Sequence, residues 1–170
     1  MTCPGSEWTL GDGVVSLRPA RPGDAAQLVA GRDAEFHRWL GPGDDDPCPA
    51  ACIVVAGEVV GWVDVDVDRS WLGPGEVNVG YCVFPAHRGN GYATRALQLL
   101  VVHLARDTEF HTATLLIDAE NQRSLAVARR AGFTFLGDFD GNPYFARVVS
   151  DAGSQASDDG MDPWRPHAQG

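Results

Sequence analysis

The chain has 170 residues, 23 of them acidic and 13 basic, with a formal net charge of -10 and 44% hydrophobic residues. Every basic residue is Arg, which excludes a Walker A phosphate loop and Schiff-base chemistry, because both need a lysine amine. The acid excess repels a phosphate backbone and argues against general nucleic-acid binding, while the length suits one domain with a real core.

In chain order, residues 1–12 carry Pro4, Gly5 and Gly11 with little periodicity and read as a flexible N-terminus. Residues 14–19 read as a first strand. Gly23-Asp24 offers an N-cap for a helix over 25–32, and a second short helix over 34–40 is stopped by Gly41-Pro42-Gly43. Strands follow over 51–56 and 59–68, joined at Gly57-Glu58 as a hairpin. The second alternates, with Val63, Val65 and Val67 on one face and Trp62, Asp64, Asp66 and Asp68 on the other. A turn over 69–75 leads to a strand over 76–84, closed by Pro85. A long helix is expected over 91–105, where Ala93, Ala96, Leu97, Leu100, Val101 and Leu104 recur at helical spacing. A strand over 112–118, a helix over 121–131 ended by Gly132, and strands over 133–139 and 144–149 complete the order. This β-α-α-β-β-β-α-β-α-β-β series predicts a mixed α/β sheet in one domain over residues 13–149. The Asp, Gly, Ser and Pro of residues 150–170 predict a disordered acidic tail.

The apolar runs are short and interrupted, so no membrane span is expected. Met1–Gly13 shows neither the basic nor the apolar region of a signal peptide, and a cytoplasmic location is the expectation. Cys3, Cys48, Cys52 and Cys82 form no CxxC pair and have no His cluster beside them. Reduced structural thiols and no metal site are therefore expected. His87, His103 and His111 form no constellation. Trp39, Trp62 and Trp71 are expected in the core or in a cleft wall.

The stretch from Tyr81 to Thr94 ends a strand, turns at Gly89-Asn90-Gly91 and begins a helix. Glycines there let a ligand approach the backbone, and the uncapped N–H groups with the positive end of the helix dipole form an anion site. Arg88 adds a donor fork suited to phosphate. A pyrophosphate is the natural guest, and a plain connecting turn is the other reading of the same residues. A second cluster, Asp118 to Phe133, is a strand-turn-helix-Gly-Phe unit. Together the clusters resemble the GNAT superfamily of N-acetyltransferases. Arg88-x-x-Gly91-x-Ala93 is similar to its pyrophosphate loop, and Asn121-x-x-Ser124 followed by Gly132-Phe133 to its N-x-[AS]…GF segment. The Ser variant, with Leu17-Arg18-Pro19 and Gly23-Asp24-Ala25, resembles the branch that holds ribosomal-protein N-terminal alanine acetyltransferases.

The resemblance implies a single-domain GNAT fold, a mixed and mostly antiparallel sheet with helices on both faces. It implies acetyl-CoA as co-substrate, seated between the strands at 76–84 and 112–118. Backbone groups of about Cys82 and Val83 would pair with the pantetheine arm, and a main-chain N–H there would polarise the thioester carbonyl. The amides of Arg88, Gly89, Asn90, Gly91, Tyr92, Ala93 and Thr94 would bind the pyrophosphate, and Asn121 the pantetheine. An amine would attack the thioester directly. Glu76 is the candidate base, sharing a sheet face with Asn78, where many relatives carry the Glu, so a water relay is implied. The family's acid Tyr aligns with Ala128; Ser124 is the substitute hydroxyl and Tyr144 a second candidate. Asp64, Asp66, Asp68 and Glu76 either steer a cationic amine or form a solvated surface. The expected acceptor is a protein N-terminus or a small cationic amine, with no nucleic acid or membrane partner, and a monomer or homodimer is expected. A CoA-binding module without turnover is the alternative.

Overall fold

The computed structural model describes residues 7–149. Its strands are β1 (Leu10–Gly11), β2 (Ser16–Arg18), β3 (Ala51–Val55), β4 (Glu58–Asp66), β5 (Glu76–Val83), β6 (Thr112–Leu116), β7 (Thr134–Phe139) and β8 (Asn142–Val148). The helices are α1 (Ala25–Ala30), α2 (Ala34–Leu40), α3 (Tyr92–Asp107) and α4 (Gln122–Arg130). The strands form one sheet in the order β1-β2-β3-β4-β5-β6-β8-β7. Every neighbouring pair is antiparallel except β5 with β6.

Local chemistry explains the hairpins. Ala56 and Gly57 have φ of 50° and 84°, and Asp140 and Gly141 have φ of 50° and 80°. Two successive positive φ values are the mark of type I′ turns, whose twist matches that of the strands they join. The second hairpin folds β8 back so that it lies between β6 and β7. Sequence periodicity does not distinguish that order from a simple meander, because both give the same alternation along each strand.

Helices cover both faces. On one, Leu97, Leu100 and Leu104 of α3 pack on Leu17, Ile53, Val77 and Phe145, all at most 2% exposed. On the other, Leu28 of α1 closes over Cys52, Val59 and Phe84. Asp24 does not cap α1 as the sequence suggests. Its carboxylate accepts two hydrogen bonds from Arg18, at 2.7 and 3.0 Å, and one from the Arg21 N–H. The half-buried fork of Arg18 satisfies more of the buried Asp24 carboxylate than one helix amide does.

Two further expectations change. Order begins before residue 13: Leu10 pairs with Leu17, and the Trp8 ring stacks on His103 of α3 with centroids 4.0 Å apart. Both residues find apolar surface there. Residues 1–6 and the tail expected over 150–170 lie outside the described residues. Cys48 is disulfide-bonded, which corrects the reduced thiol expected at that position. It stands on an exposed loop between Pro47 and Pro49, where a thiol can be reached, whereas Cys52 and Cys82 are buried and free. Cys3 lies outside the described residues.

The feature that positions a site is the junction of β5 and β6. They pair only at Glu76–Thr112, Val77–Ala113 and Asn78–Thr114. Beyond Asn78, β5 continues to Val83 with β4 as its only strand neighbour among the described residues.

Phe145, with no exposed surface, ties β8 to the core. Phe145→Ala should lower the unfolding free energy by about 3–5 kcal/mol, read as a fall in the urea midpoint at unchanged m-value.

Candidate active site

Where β5 and β6 part, a cleft of about 640 Å³ passes into the sheet. One wall comes from Phe36, Trp39 and Leu40 of α2. The opposite wall comes from Ser124, Val127 and Arg130 of α4, and the strand side from Tyr81, Cys82 and Val83. The Gly89–Thr94 turn and the start of α3 form its upper end.

Backbone direction shows which strand groups are free. The Phe84 N–H donates to the Val60 carbonyl at 2.9 Å. Alternation along an antiparallel ladder then turns the backbone groups of Cys82, Gly80 and Asn78 toward β4, and those of Tyr81 and Val83 toward the parted side. The sequence reading named Cys82 and Val83; the groups that face the cleft belong to Tyr81 and Val83. The Cys82 thiol does line the cleft, and burial pushes its pKa up to about 11. It stays protonated at neutral pH, which makes it a weak nucleophile.

The turn behaves as its composition suggests. Gly89 and Gly91 have φ of 81° and 77°, a region that side-chain-bearing residues avoid, and Asn90 braces the turn through the His87 carbonyl at 3.0 Å. Gly91 is the N-cap of α3 and gives no side-chain cap. The N–H groups of Gly89 through Thr94 meet no acceptor among the described residues. Six uncapped donors at the start of a 16-residue helix are a ready anion cradle.

Arg88 does something else. Its guanidinium donates to Asp33 at 2.7 and 3.0 Å, to Glu35 at 2.9 Å, and through Nε to the Val83 carbonyl at 3.0 Å. The fork expected to hold phosphate is therefore occupied. It straps the anion loop to α2, whose N-cap is Asp33. Arg123 of α4 reaches the same Glu35 carboxylate at 3.0 Å, so one ion network joins the cleft's three walls.

Within the cleft, Asn121 caps α4 by accepting the Ser124 N–H at 3.1 Å, leaving its amide nitrogen available. The Tyr81 hydroxyl donates to Ser124 Oγ at 2.9 Å. Burial raises Tyr81 to about 12, so it remains a donor at neutral pH. Sequence reasoning missed this tyrosine. The signal was present in the β5 face Val77, Val79, Tyr81 and Val83, where one hydroxyl interrupts a run of valines.

Glu76 and Asn78 do not line the cleft. They lie on the α2 side of β5, below the parting point. The Glu76 carboxylate accepts the Gly73 N–H at 2.8 Å. Tyr144 is its neighbour, with a pKa raised by burial and by the Glu76 charge. Asn78 is the last residue paired to β6, and its side-chain oxygen is buried without a partner. Between Asn78 and the cleft stands Gly80, where a built Cβ meets nothing within 4 Å. The acidic face is largely engaged: Asp64 accepts the Ala50 and Val65 amides, and Asp66 pairs with Arg69 at 2.6 Å. Among the described residues, no three His, Cys, Asp or Glu converge as metal ligands, and no helix is long and apolar enough to cross a membrane.

A family model described as an acetyltransferase (GNAT) domain matches residues 46–134. No curated protein matches the sequence closely enough to count as a relative. Solved structures share the fold. RimL, a ribosomal L7/L12 alpha-N-protein acetyltransferase in complex with coenzyme A, is 20% identical over 84% of this chain and 98% of its own, with a TM-score of 0.68. RimJ of Mycobacterium smegmatis is 24% identical over 88% and 90%, with a TM-score of 0.66. The aminoglycoside acetyltransferase AAC(6')-Ib, in complex with coenzyme A and kanamycin, is 20% identical over 79% and 94%, with a TM-score of 0.68.

Arg88 holds the Asp33 carboxyl down to about 2 from its ordinary 3.8. The charged form is favoured by the fold, so this contribution is complete above about pH 4 and drains away as the pH falls toward 2. Asp33→Asn keeps an N-cap and removes the charge. The stability gap between wild type and this variant, measured by urea unfolding, should shrink from pH 5 to pH 2; a gap that did not change with pH would mean the ion pair contributes nothing.

Proposed function

This chain belongs to the acetyltransferase (GNAT) domain family, and on that footing we propose that it transfers the acetyl group of acetyl-CoA directly to a primary amine. The observation that carries the reading is the cleft at the parting of β5 and β6, with an anion cradle at its upper end and open strand backbone along its side.

The residues divide the work by position. The amides of Gly89 through Thr94 suit the pyrophosphate, which needs several donors and brings its own negative charge to the helix start. The Tyr81 main-chain groups and the Val83 N–H suit an extended amide arm, in the way a strand edge takes a peptide, while the Val83 carbonyl is held by Arg88 Nε. The Asn121 amide nitrogen lies beside that path. The Val83 N–H is placed to stabilise the oxygen of a thioester carbonyl as charge develops there. Ser124 offers a hydroxyl where sulfur would depart.

The acceptor approaches from the α2 side, over Gly80, where space is open. The unpartnered Asn78 oxygen can accept a hydrogen bond from its nitrogen. An ammonium has no lone pair, so a proton must leave before attack. Glu76, two residues further along the strand and about 7 Å away, takes it through a water. The amine nitrogen then bonds to the carbonyl carbon and releases its second proton to water, the carbon–sulfur bond breaks with its electron pair going to sulfur, and CoA leaves. A protein N-terminus and an aminoglycoside are the first acceptors to test, since solved enzymes of this fold act on those substrates.

The experiment is acetyl-CoA titration by thermal shift, followed by CoA-release assays with N-terminal peptides, polyamines and aminoglycosides. At 100 times its Kd the ligand should stabilise the fold by about 2.7 kcal/mol; no shift would sink the placement of the anion cradle. Binding without CoA release on any acceptor would leave a CoA-binding module. Gly91→Glu places a strained side chain and a negative charge at φ 77° and should abolish acetyl-CoA binding. Glu76→Gln should lower kcat by about 100-fold, the range of a lost general base, with acetyl-CoA affinity unchanged; a wild-type rate across pH 6–9 would remove Glu76 as the base.

A further inference from the structure

Tyr81 stands on a face of β5 otherwise made of Val77, Val79 and Val83, where its ring packs against the core and its hydroxyl reaches Ser124. The two hydroxyls lie 2.9 Å apart across the cleft, one from the strand and one from α4. Both residues line the cleft. Ser124 has its backbone N–H engaged by Asn121, and its Oγ accepts from Tyr81. What remains is its own O–H, which meets no acceptor among the described residues. A serine hydroxyl rotates freely unless something fixes it. Here the tyrosine takes one lone pair and leaves the proton to point elsewhere.

We propose that Tyr81 is a positioning residue for Ser124, holding its hydroxyl so that the serine proton points to the sulfur that departs with CoA. The proposal rests on the acetyl-transfer reading above. The chain runs Tyr81 O–H to Ser124 Oγ, and Ser124 O–H to sulfur. As the carbon–sulfur bond breaks, its electron pair goes to sulfur, and the developing negative charge strengthens both hydrogen bonds in series. No proton crosses from Tyr81. Burial pushes its pKa up to about 12, well above an ordinary thiol near 8.5, so full transfer to the thiolate would run uphill. The thiolate is stabilised by donation and collects its proton from water after leaving.

Tyr81→Phe keeps the ring and removes only the donor. It should lower kcat about tenfold, the scale of one hydrogen bond to a charged group, while the acetyl-CoA Kd stays within about twofold of wild type. Because neither hydroxyl titrates near neutrality, the loss should be the same from pH 6 to pH 9. Ser124→Ala should lower kcat at least as much, and the double variant should be no slower than Ser124→Ala, since the tyrosine acts only through the serine. Ser124→Thr restores the hydroxyl and should recover most of the rate. A wild-type kcat in Tyr81→Phe, losses that multiply in the double variant, or a loss that grows with rising pH would each overturn the assignment. Were Tyr81→Phe unable to fold, Ser124→Ala with an undiminished rate would overturn it equally. If the wild-type protein released no CoA with any amine, the acetyl-transfer reading would fall and this assignment with it. A fully active wild type with an indifferent Tyr81→Phe would remove this assignment alone.

Discussion

The site depends on a mismatch in strand pairing. β5 keeps β4 as a partner from Asn78 to Val83, while β6 keeps β8 along its whole length, but the two strands hold each other at three positions only. Each belongs to a separately twisting antiparallel unit, and right-handed twist accumulates away from the point where the units touch. The strands therefore diverge. Thr114, fully buried, pins the meeting point through a hydrogen bond to the Val77 carbonyl at 3.3 Å. Above that pin the sheet carries unpaired backbone facing a cleft, which an ordinary sheet interior never allows. Helices on both faces make the opening a passage between two surfaces.

Electrostatics follows the same geography. The protein is strongly acidic, and most of its well-placed arginines are tied to carboxylates. Arg18 anchors the start of α1 through Asp24, and Arg88 and Arg123 share Glu35. What is left for a polyanion is a set of main-chain N–H groups. No carboxylate among the described residues reaches the N–H groups of Gly89 through Thr94, so these donors stay free at the positive end of the α3 dipole. Arg88 supports them indirectly, by fixing the loop against α2. The same network places the aromatic wall of α2 over the cleft, so the position of that wall and the shape of the anion cradle are set together.

Much was legible beforehand because it depends on neighbours in the chain. The helix over 92–107 shows in the spacing of Ala96, Leu97, Leu100 and Leu104. The alternation of β4 shows in valine against aspartate. The anion turn shows in Gly89 and Gly91. Other features were misread for one shared reason. The partner of Arg88 is Asp33, 55 positions away. The partner of Asp24 is Arg18 rather than a helix amide. Cys48 is paired though its local sequence gives no sign of it. Tyr81 reads as one more apolar-face residue until α4 brings Ser124 against it, 43 positions further on.

Taken by itself, the amino-acid sequence determined the elements, the glycine turn before α3 and the family of acyl transfer, since periodicity, turn chemistry and spaced motifs act over a few residues. Tertiary structure alone decided that β8 lies between β6 and β7, that Tyr81 and Val83 turn their backbone to the cleft, and that the guanidinium of Arg88 holds α2 in place of a phosphate. These are choices between partners of equal local merit. A carboxylate and a phosphate are both good ligands for an arginine fork, and only the folded chain sets which one is within reach.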